Sequence, residues 1–464
     1  MRHRAWVARL GLAAILLLAL YFRALNLFGW DSGTGQHPDE RFFTYVASTV
    51  RLPSDLGEFY DSSRSPLNPR SYEQFPLYVY GPIPIMLTRA VAVMLTPADA
   101  LPVQVLSLKG PPRVGADPTA PNERRTDYGP PVPNPERNWP RLTLLLPWLN
   151  PTGVNLTSYG EIVKVGRGLT VLFDLGSVLL VYLIGRRLFG RRIGLLAALF
   201  AALTVMHIQQ SHFFVDPAFS TFFCLLALYW TVRAAQGGGL AVYGALGLSI
   251  GAAMANRITM ATIGGLAIVA ALIAAQRTLR GQPWPAVFDR FFRREIWLLI
   301  MAGALTILSF RTLAPDSFIG SRADSPLIEG SSILHGAGFL DVRLDPRFRD
   351  NLTTVRALVT GEYDFPPGQQ WVGRPAYLFP WSNMVLWGMG PLLGLAAWGG
   401  WLLFAARYAR RGWQWALQPS SVVGRPWHPA EGPDGAAADA HPSRPRRRQR
   451  SPGPQKSPAA RLRS

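Results

Sequence analysis

Long apolar runs alternate with polar, proline-rich stretches along this chain. A helix that crosses a bilayer needs about 20 predominantly apolar residues. Runs of this kind predict eight membrane-spanning helices, near residues 8–28, 167–186, 191–210, 214–233, 239–255, 258–275, 296–314 and 384–406. The pattern therefore predicts an all-α polytopic membrane protein.

A further apolar stretch, residues 76–95, contains three prolines and Arg89, which is unusual for a spanning helix. Short cationic loops mark the cytoplasmic side of a membrane protein. The dense basic segments are the N-terminus with Arg2, Arg4 and Arg9, and residues 185–192, 276–295 and 407–412. With eight spans, all four segments lie on the cytoplasmic side only if residues 76–95 do not cross the membrane. We therefore expect an interfacial or re-entrant helix there, and both chain ends in the cytoplasm.

This topology predicts six regions. They are an uncleaved N-terminal anchor (1–28), a first outer loop (29–166), a transmembrane core (167–314), a second outer loop (315–383), a last span (384–406) and a basic cytoplasmic tail (407–464). Thirteen prolines between Pro97 and Pro151 argue against a packed helical domain in that part of the first loop.

Composition supports the membrane assignment. Only 16% of the residues are charged, against about a quarter in soluble domains. The single cysteine, Cys224, excludes an intramolecular disulfide or a cysteine-rich metal site. The net charge is +19, but residues 407–464 hold twelve Arg/Lys against three acids, and that proline- and arginine-rich tail is expected to be disordered. No folded nucleic-acid module accompanies the basic tail, so we expect no nucleic-acid partner.

An acidic motif, His37-Pro38-Asp39-Glu40, directly follows the first span. Pro38 suits the first position of a helix, and the two carboxylates would then favour its dipole, which is the purely structural alternative. Adjacent helical residues point about 100° apart, so Asp39 and Glu40 cannot flank one bond as a glycosidase pair does. A single base suffices when the leaving group is a phosphate, which predicts glycosyl transfer from a lipid phosphate.

The motifs HPDE-x-F-x-x-Y (37–45), YLIGRRLFG (182–190) and HFFVD (212–216) occur in this order after the first span. With them, residues of about 8–310 resemble the GT-C glycosyltransferases, more narrowly the family 39 and aminoarabinose-transferase-like enzymes. The resemblance implies a GT-C-type bundle in the cell membrane, with a polyprenyl-phosphate sugar donor and a glycan, lipid or protein acceptor. It also implies further spans beyond residue 406, so we expect this chain to lack a C-terminal part.

The resemblance assigns the catalytic aspartate to Asp39, with Glu40 beside it, and implies inverting transfer to a hydroxyl. The family's Glu-Lys-Pro-Pro-like element maps onto Glu73-Gln74-Phe75-Pro76, where the lysine expected to meet phosphate is absent. Glu73 and His37 join the candidate substrate-binding residues.

A lipid phosphate needs fixed cations, and the planar fork of arginine suits its oxygens. Arg257, between two spans, is either a phosphate contact or an interface anchor, and Arg167 is a second candidate. Asp174 would lie inside the bilayer, where a carboxylate marks either a partner or a pathway. Asp216 precedes Pro217 and is either a helix cap or a substrate contact. His212 is either an acceptor or phosphate contact or a solvated interfacial residue.

A metal site is only weakly indicated. Asp39 and Asp216, with His37 and His212, could converge on Mg²⁺ or Mn²⁺, but no helical two-ligand spacing supports them. No phosphate-binding or dinucleotide glycine motif occurs, which argues against a nucleotide sugar as donor. Two alternatives stay open: a transporter of lipid-linked sugars, and a catalytically inactive scaffold with the same fold.

Overall fold

The structure is a computed structural model that describes residues 2–31, 35–60, 65–72, 74–75, 78–108, 128–279, 282–318, 342–360, 362 and 372–416. Its helices are α1 (Arg2–Ala24), α2 (Pro38–Thr49), α3 (Leu56–Tyr60), α4 (Ile83–Leu95), α5 (Tyr159–Phe189), α6 (Arg191–Leu203), α7 (Val205–Ser211), α8 (Asp216–Ala235), α9 (Leu240–Asn256), α10 (Ile263–Thr278), α11 (Trp284–Arg290), α12 (Ile296–Leu313), α13 (Pro346–Thr360), α14 (Leu378–Asn383) and α15 (Pro391–Ala416). Two strands, β1 (Gln104–Leu108) and β2 (Tyr128–Pro133), form an antiparallel pair.

Within the described residues, six helices are long and apolar enough to cross a membrane. They are Trp6–Ala24, Tyr159–Phe189, Asp216–Ala235, Ile258–Thr278, Trp284–Leu313 and Pro391–Arg410. A seventh span results if α6 and α7, which bend by 57° around Thr204, are counted as one. The prediction of an all-α polytopic membrane protein is therefore confirmed, with six or seven such helices where the hydropathy pattern predicted eight.

The predicted span that has no such helix is residues 239–255. It corresponds to α9, which has only 17 residues. Helix α5 begins at Tyr159, eight residues before the predicted start, and its 31 residues would extend about 46 Å at 1.5 Å per residue. Helix α15 continues through Ala416, so the first ten residues of the predicted tail are helical. The rest of that tail lies outside the described residues.

Helices α9 and α12 pack closely because glycine removes side chains from their interface. A Cβ atom on Gly247 would lie 2.2 Å from the Ala302 carbonyl oxygen, and one on Gly251 would lie 2.4 Å from the Thr306 carbonyl oxygen. The hydroxyl of Ser309 donates to the Leu248 carbonyl at 2.9 Å. Small residues and interhelical hydroxyl bonds are the usual means of helix association in membranes. This contact fixes the C-terminal end of α9, where the candidate site lies.

The segment predicted as the first outer loop, residues 29–166, has its own packed core in its described part. The amphipathic face of α2 turns Phe43, Val46 and Ala47 inward, against α4 and the beginning of α5. Helix α4 is an apolar helix of 13 residues within the segment predicted to be interfacial or re-entrant. Its buried Arg89 makes two bonds of 2.8 and 2.6 Å to the Glu136 carboxylate, which ties α4 to the segment before α5.

The proline-rich part of this loop follows its sequence pattern. In the described residues between α4 and α5 there is no α-helix, only the β1–β2 pair and short 3₁₀ turns. Proline lacks the amide hydrogen that continuous helices require, so short turns are the expected outcome.

The described parts of the segment predicted as the second outer loop, residues 315–383, lie against the first predicted loop. Phe318 pairs with Leu344 as an antiparallel bridge, which brings the beginning of α13 back to the end of α12. The side-chain amide of Asn351, in α13, donates to the Tyr78 carbonyl at 3.1 Å. The two loops that the sequence separates by more than 140 residues are therefore in direct contact.

Candidate functional site

Four segments distant in sequence meet at one end of the helix bundle. They are the beginning of α2, the turn at residues 78–82, the segment 212–216 before α8, and the end of α9. Most of the polar residues singled out from the sequence lie in these segments or in α5 beside them. The structure divides these residues into a buried group and an exposed group.

Glu40 and Arg167 form the buried group. The guanidinium of Arg167 donates from Nε and Nη2 to the two oxygens of the Glu40 carboxylate, at 2.8 and 2.7 Å. It also donates to Asp31 at 3.1 Å and to the Leu27 carbonyl at 3.0 Å. The Phe214 amide donates to Glu40 at 2.7 Å. Glu40 is 2% exposed, so this network joins four segments but offers little surface to a substrate.

Asp39 has the opposite environment. It is exposed on the first turn of α2, one residue before the buried Glu40. His37 caps this helix, since its Nδ1 accepts the Asp39 amide hydrogen at 3.2 Å, and its ring lies 5.0 Å from that of Phe213. The helical rotation between neighbours thus points Glu40 into the protein and Asp39 outward, as the sequence predicted for adjacent helical residues.

Tyr80 is the partner of Asp39 that the sequence analysis missed. Burial raises the pKa of the Tyr80 hydroxyl well above its usual value, and the negative charge of the nearby Asp39 raises this pKa further. Arg257 acts in the opposite direction. Tyr80 therefore stays a neutral donor beside Asp39. Its ring packs against Phe43 of α2, with the centroids 4.7 Å apart.

Gly81 explains why Tyr80 is fixed there. Its amide donates to the Asn256 carbonyl at 2.9 Å, and a Cβ atom at this position would lie 2.0 Å from the Ala255 carbonyl oxygen. Only glycine lets the turn approach the end of α9 this closely. The Gly-Pro pair in the sequence signals a turn, but its contact partner is far along the chain.

Arg257 completes the exposed group, and the buried Asp216 holds it in place. The carboxylate of Asp216 accepts hydrogen bonds from the Ser220 hydroxyl and from the side-chain amide of Asn256, both at 2.8 Å. It also pairs with Arg257 Nε at 3.1 Å. Asp216 is 1% exposed, whereas 46% of the Arg257 side chain is exposed. Asp216 therefore holds an arginine whose side chain remains about half exposed, near Tyr80 and Asp39.

The remaining candidates have other surroundings. His212 is buried, and its Nδ1 and Nε2 lie 2.8 and 3.1 Å from the carbonyl oxygens of Ile208 and Leu25. Asp174 pairs with buried Arg23 and with His207, whose Nδ1 is 2.6 Å from its carboxylate. A partner for Asp174 was one of the two alternatives from the sequence. Glu73 lies outside the described residues.

Cation ligands are sparse in the described part of the chain, where no group of three or more His, Cys, Asp or Glu lies together as a metal site. Asp216 already has three partners, and among the weakly indicated ligands Asp39 is the one with an exposed carboxylate.

Residues 143–289 match the family model of the dolichyl-phosphate-mannose-protein mannosyltransferases. The match supports a membrane glycosyltransferase of the GT-C type. It covers about a third of the 464 residues and includes Arg167, His212, Asp216 and Arg257, whereas Asp39 and Tyr80 lie outside it. Comparison with curated proteins and with solved structures gives no match.

Proposed function

We propose that this protein transfers a sugar from a polyprenyl-phosphate donor to a hydroxyl group of an acceptor at the membrane surface. The observation that carries the proposal is that an exposed carboxylate, Asp39, and a half-exposed arginine, Arg257, both lie close enough to Tyr80 to act on its hydroxyl. A base and a phosphate-binding cation are the two groups that such a displacement needs. The family match, which contains Arg257, supports the same class of reaction.

In the proposed reaction, the acceptor oxygen attacks the anomeric carbon while Asp39 takes the hydroxyl proton. The bond between that carbon and the phosphate oxygen breaks, and polyprenyl phosphate leaves with inversion at the carbon. Arg257 binds the phosphate oxygens, whose negative charge grows as the bond breaks. In this proposal the neutral hydroxyl of Tyr80, which lies near Asp39, donates to the carboxylate during the reaction and directs it toward the acceptor.

Glu40 and Arg167 have a positioning role in this proposal. Because their charges are paired and buried, they fix the beginning of α2 against α5 and residue 214, and thereby the direction of Asp39. This replaces the sequence-based hypotheses of a second catalytic carboxylate and a phosphate-binding Arg167. His212 likewise holds backbone carbonyls, and His37 caps α2.

A divalent cation is compatible with Asp39 but has few other protein ligands here. Mg²⁺ is commonly held by one or two carboxylates together with substrate phosphates, so Asp39 and the donor phosphate would be its ligands. Such an ion would neutralise developing phosphate charge. Activity measured with Mg²⁺, with Mn²⁺ and with EDTA tests this contribution directly.

The experiment compares Asp39→Asn with Glu161→Gln in purified protein supplied with radiolabelled polyprenyl-phosphate hexoses and membrane acceptors. Glu161 is a matched control because its carboxylate pairs with Lys164 on the surface of α5. Loss of the base should lower the turnover of Asp39→Asn about 10²–10⁴-fold, with Glu161→Gln close to wild type.

Three outcomes would contradict the proposal. Undiminished turnover of Asp39→Asn would remove Asp39 from the reaction. Movement of labelled donor across proteoliposome membranes without sugar transfer would identify a transporter. Absence of both activities across the donor panel would favour an inactive scaffold.

A further inference from the structure

Six consecutive apolar residues stand exposed at the end of the first outer loop. They are Leu144, Leu145, Leu146, Pro147, Trp148 and Leu149. Leu144 is 82% exposed, Leu145 78% and Trp148 69%. Large contiguous apolar surfaces are unfavourable in water and mark a site of interaction with a protein or a membrane. We call residues 144–149 the LLLPWL segment.

Hydrogen bonds at both ends hold the LLLPWL segment in this exposed position. Before it, the guanidinium of Arg141 donates to the Val93 carbonyl at the end of α4 and to the Glu136 carbonyl at 2.6 Å. After the segment, the side-chain amide of Asn150 donates to the Leu95 and Val154 carbonyls, both at 2.9 Å. The apolar side chains are therefore displayed by a fixed backbone rather than by a loose loop.

Its position in the chain favours lipid as the occupant. The segment is fastened to the end of the apolar helix α4 and precedes the membrane-spanning α5 by ten residues. The connection is tied to the same helix, since the Leu156 amide donates to Thr96 at 3.0 Å. The leucines supply apolar area, and tryptophan is enriched at the level of the lipid headgroups. Continuity with a membrane span distinguishes this surface from a docking site for a soluble protein.

We propose that the LLLPWL segment inserts into the outer leaflet and anchors the first outer loop to the membrane surface. The anchor has a short, bonded connection to the candidate site. Arg141 binds the backbone of Glu136, whose carboxylate accepts the Leu52 amide hydrogen at 2.9 Å, three residues after α2. Insertion would therefore hold α2, and Asp39 at its beginning, at a fixed depth relative to lipid headgroups. The anchor does not depend on the proposed reaction.

The test measures insertion without measuring activity. Cys224 is replaced by Ser, a single cysteine is placed at Leu145 or, as a control, at the exposed polar Ser54, and each is labelled with an environment-sensitive fluorophore. The full chain is reconstituted in vesicles of phosphatidylcholine and phosphatidylglycerol. We expect the label at residue 145 to emit at shorter wavelength, to be quenched by lipids brominated near the headgroup, and to be protected from aqueous iodide. The label at residue 54 should be open to iodide.

Iodide quenching at residue 145 equal to that at residue 54 would overturn the proposal. Protection from both iodide and brominated lipid would also overturn it, because a protein surface would then cover the segment. A second variant, Leu144→Asp with Leu145→Asp, carries the label at Trp148→Cys and should lose brominated-lipid quenching relative to Trp148→Cys alone. Retained quenching in that variant would contradict insertion of these leucines.

Discussion

Two acid–arginine pairs lie in the same region of the molecule, yet their environments differ sharply. The Glu40–Arg167 pair is enclosed, with both side chains no more than 5% exposed and further bonds to Asp31 and to the backbone. In the Asp216–Arg257 pair the carboxylate is enclosed, but the arginine is half exposed. The first pair completes its hydrogen bonds within the protein, whereas the second presents a cation outward.

The comparison shows that residue type does not decide function here. Arg167 precedes an apolar stretch and Arg257 follows one, and as residue types both are equally suited to bind phosphate. A buried ion pair has already lost its hydration, and separating it would leave an uncompensated charge in a medium of low dielectric constant. Arg257 can exchange water for a phosphate oxygen at much smaller cost. The accessible pair is therefore the better place for substrate chemistry, and the enclosed pair the better support.

Breaking the enclosed pair should have the largest effect on stability. Arg167→Gln leaves Glu40 buried without its main partner, which should lower the free energy of unfolding by about 3–5 kcal/mol. The matched control is Lys164→Gln, which breaks the exposed Glu161–Lys164 pair and should cost about 1 kcal/mol or less. Denaturation of purified protein in detergent measures both. Equal stability of the two variants would contradict the supporting role of Arg167.

Breaking the accessible pair should affect turnover more than stability. Arg257→Gln removes a charged hydrogen-bond donor worth about 1.5–3 kcal/mol, so donor turnover should fall about 10–100-fold. Arg257→Lys should recover part of that loss, since lysine retains the charge but not the planar fork. Steady-state kinetics with varied donor concentration measures the effect. Wild-type kinetics in Arg257→Gln would exclude the phosphate contact.

Tyr80→Phe sharpens the comparison with a smaller effect. A hydrogen bond that Tyr80 donates to Asp39 during the proposed reaction would contribute about 1 kcal/mol, so turnover should fall less than tenfold. The raised pKa of Tyr80 also predicts a pH dependence. Below pH about 10 the Tyr80 hydroxyl is protonated in both the folded and the unfolded protein. Above that pH the hydroxyl ionises only in the unfolded chain. The free energy of unfolding therefore falls as the pH rises.

The free energy of unfolding should therefore decline less steeply above pH 10 in Tyr80→Phe than in the wild type. Denaturation curves collected from pH 8 to 11 test this. Identical slopes for the two proteins would show that Tyr80 does not retain its proton on folding.

Local patterns predicted much of the architecture. The apolar runs predicted the fold class, and six of the eight predicted spans correspond to helices long enough to cross a membrane. The prolines between residues 97 and 151 predicted the absence of α-helix in the described part of that stretch. Pro38 predicted the beginning of α2, and the rotation of about 100° between neighbouring helical residues predicted the different directions of Asp39 and Glu40. These features depend on interactions among residues close in sequence.

Long-range contacts decided the rest. The sequence by itself determined a helical membrane protein with an acidic helix start after its first span. Only the tertiary structure decided that Arg167 pairs with Glu40 and that Arg257 stays half exposed while it pairs with Asp216. It also decided that Gly81 lets the turn with Tyr80 approach the end of α9. The physical reason is that the same side chain is a support or a reactive group according to its burial and its partners. Both are set by segments more than 100 residues away in the case of Arg167 and Glu40.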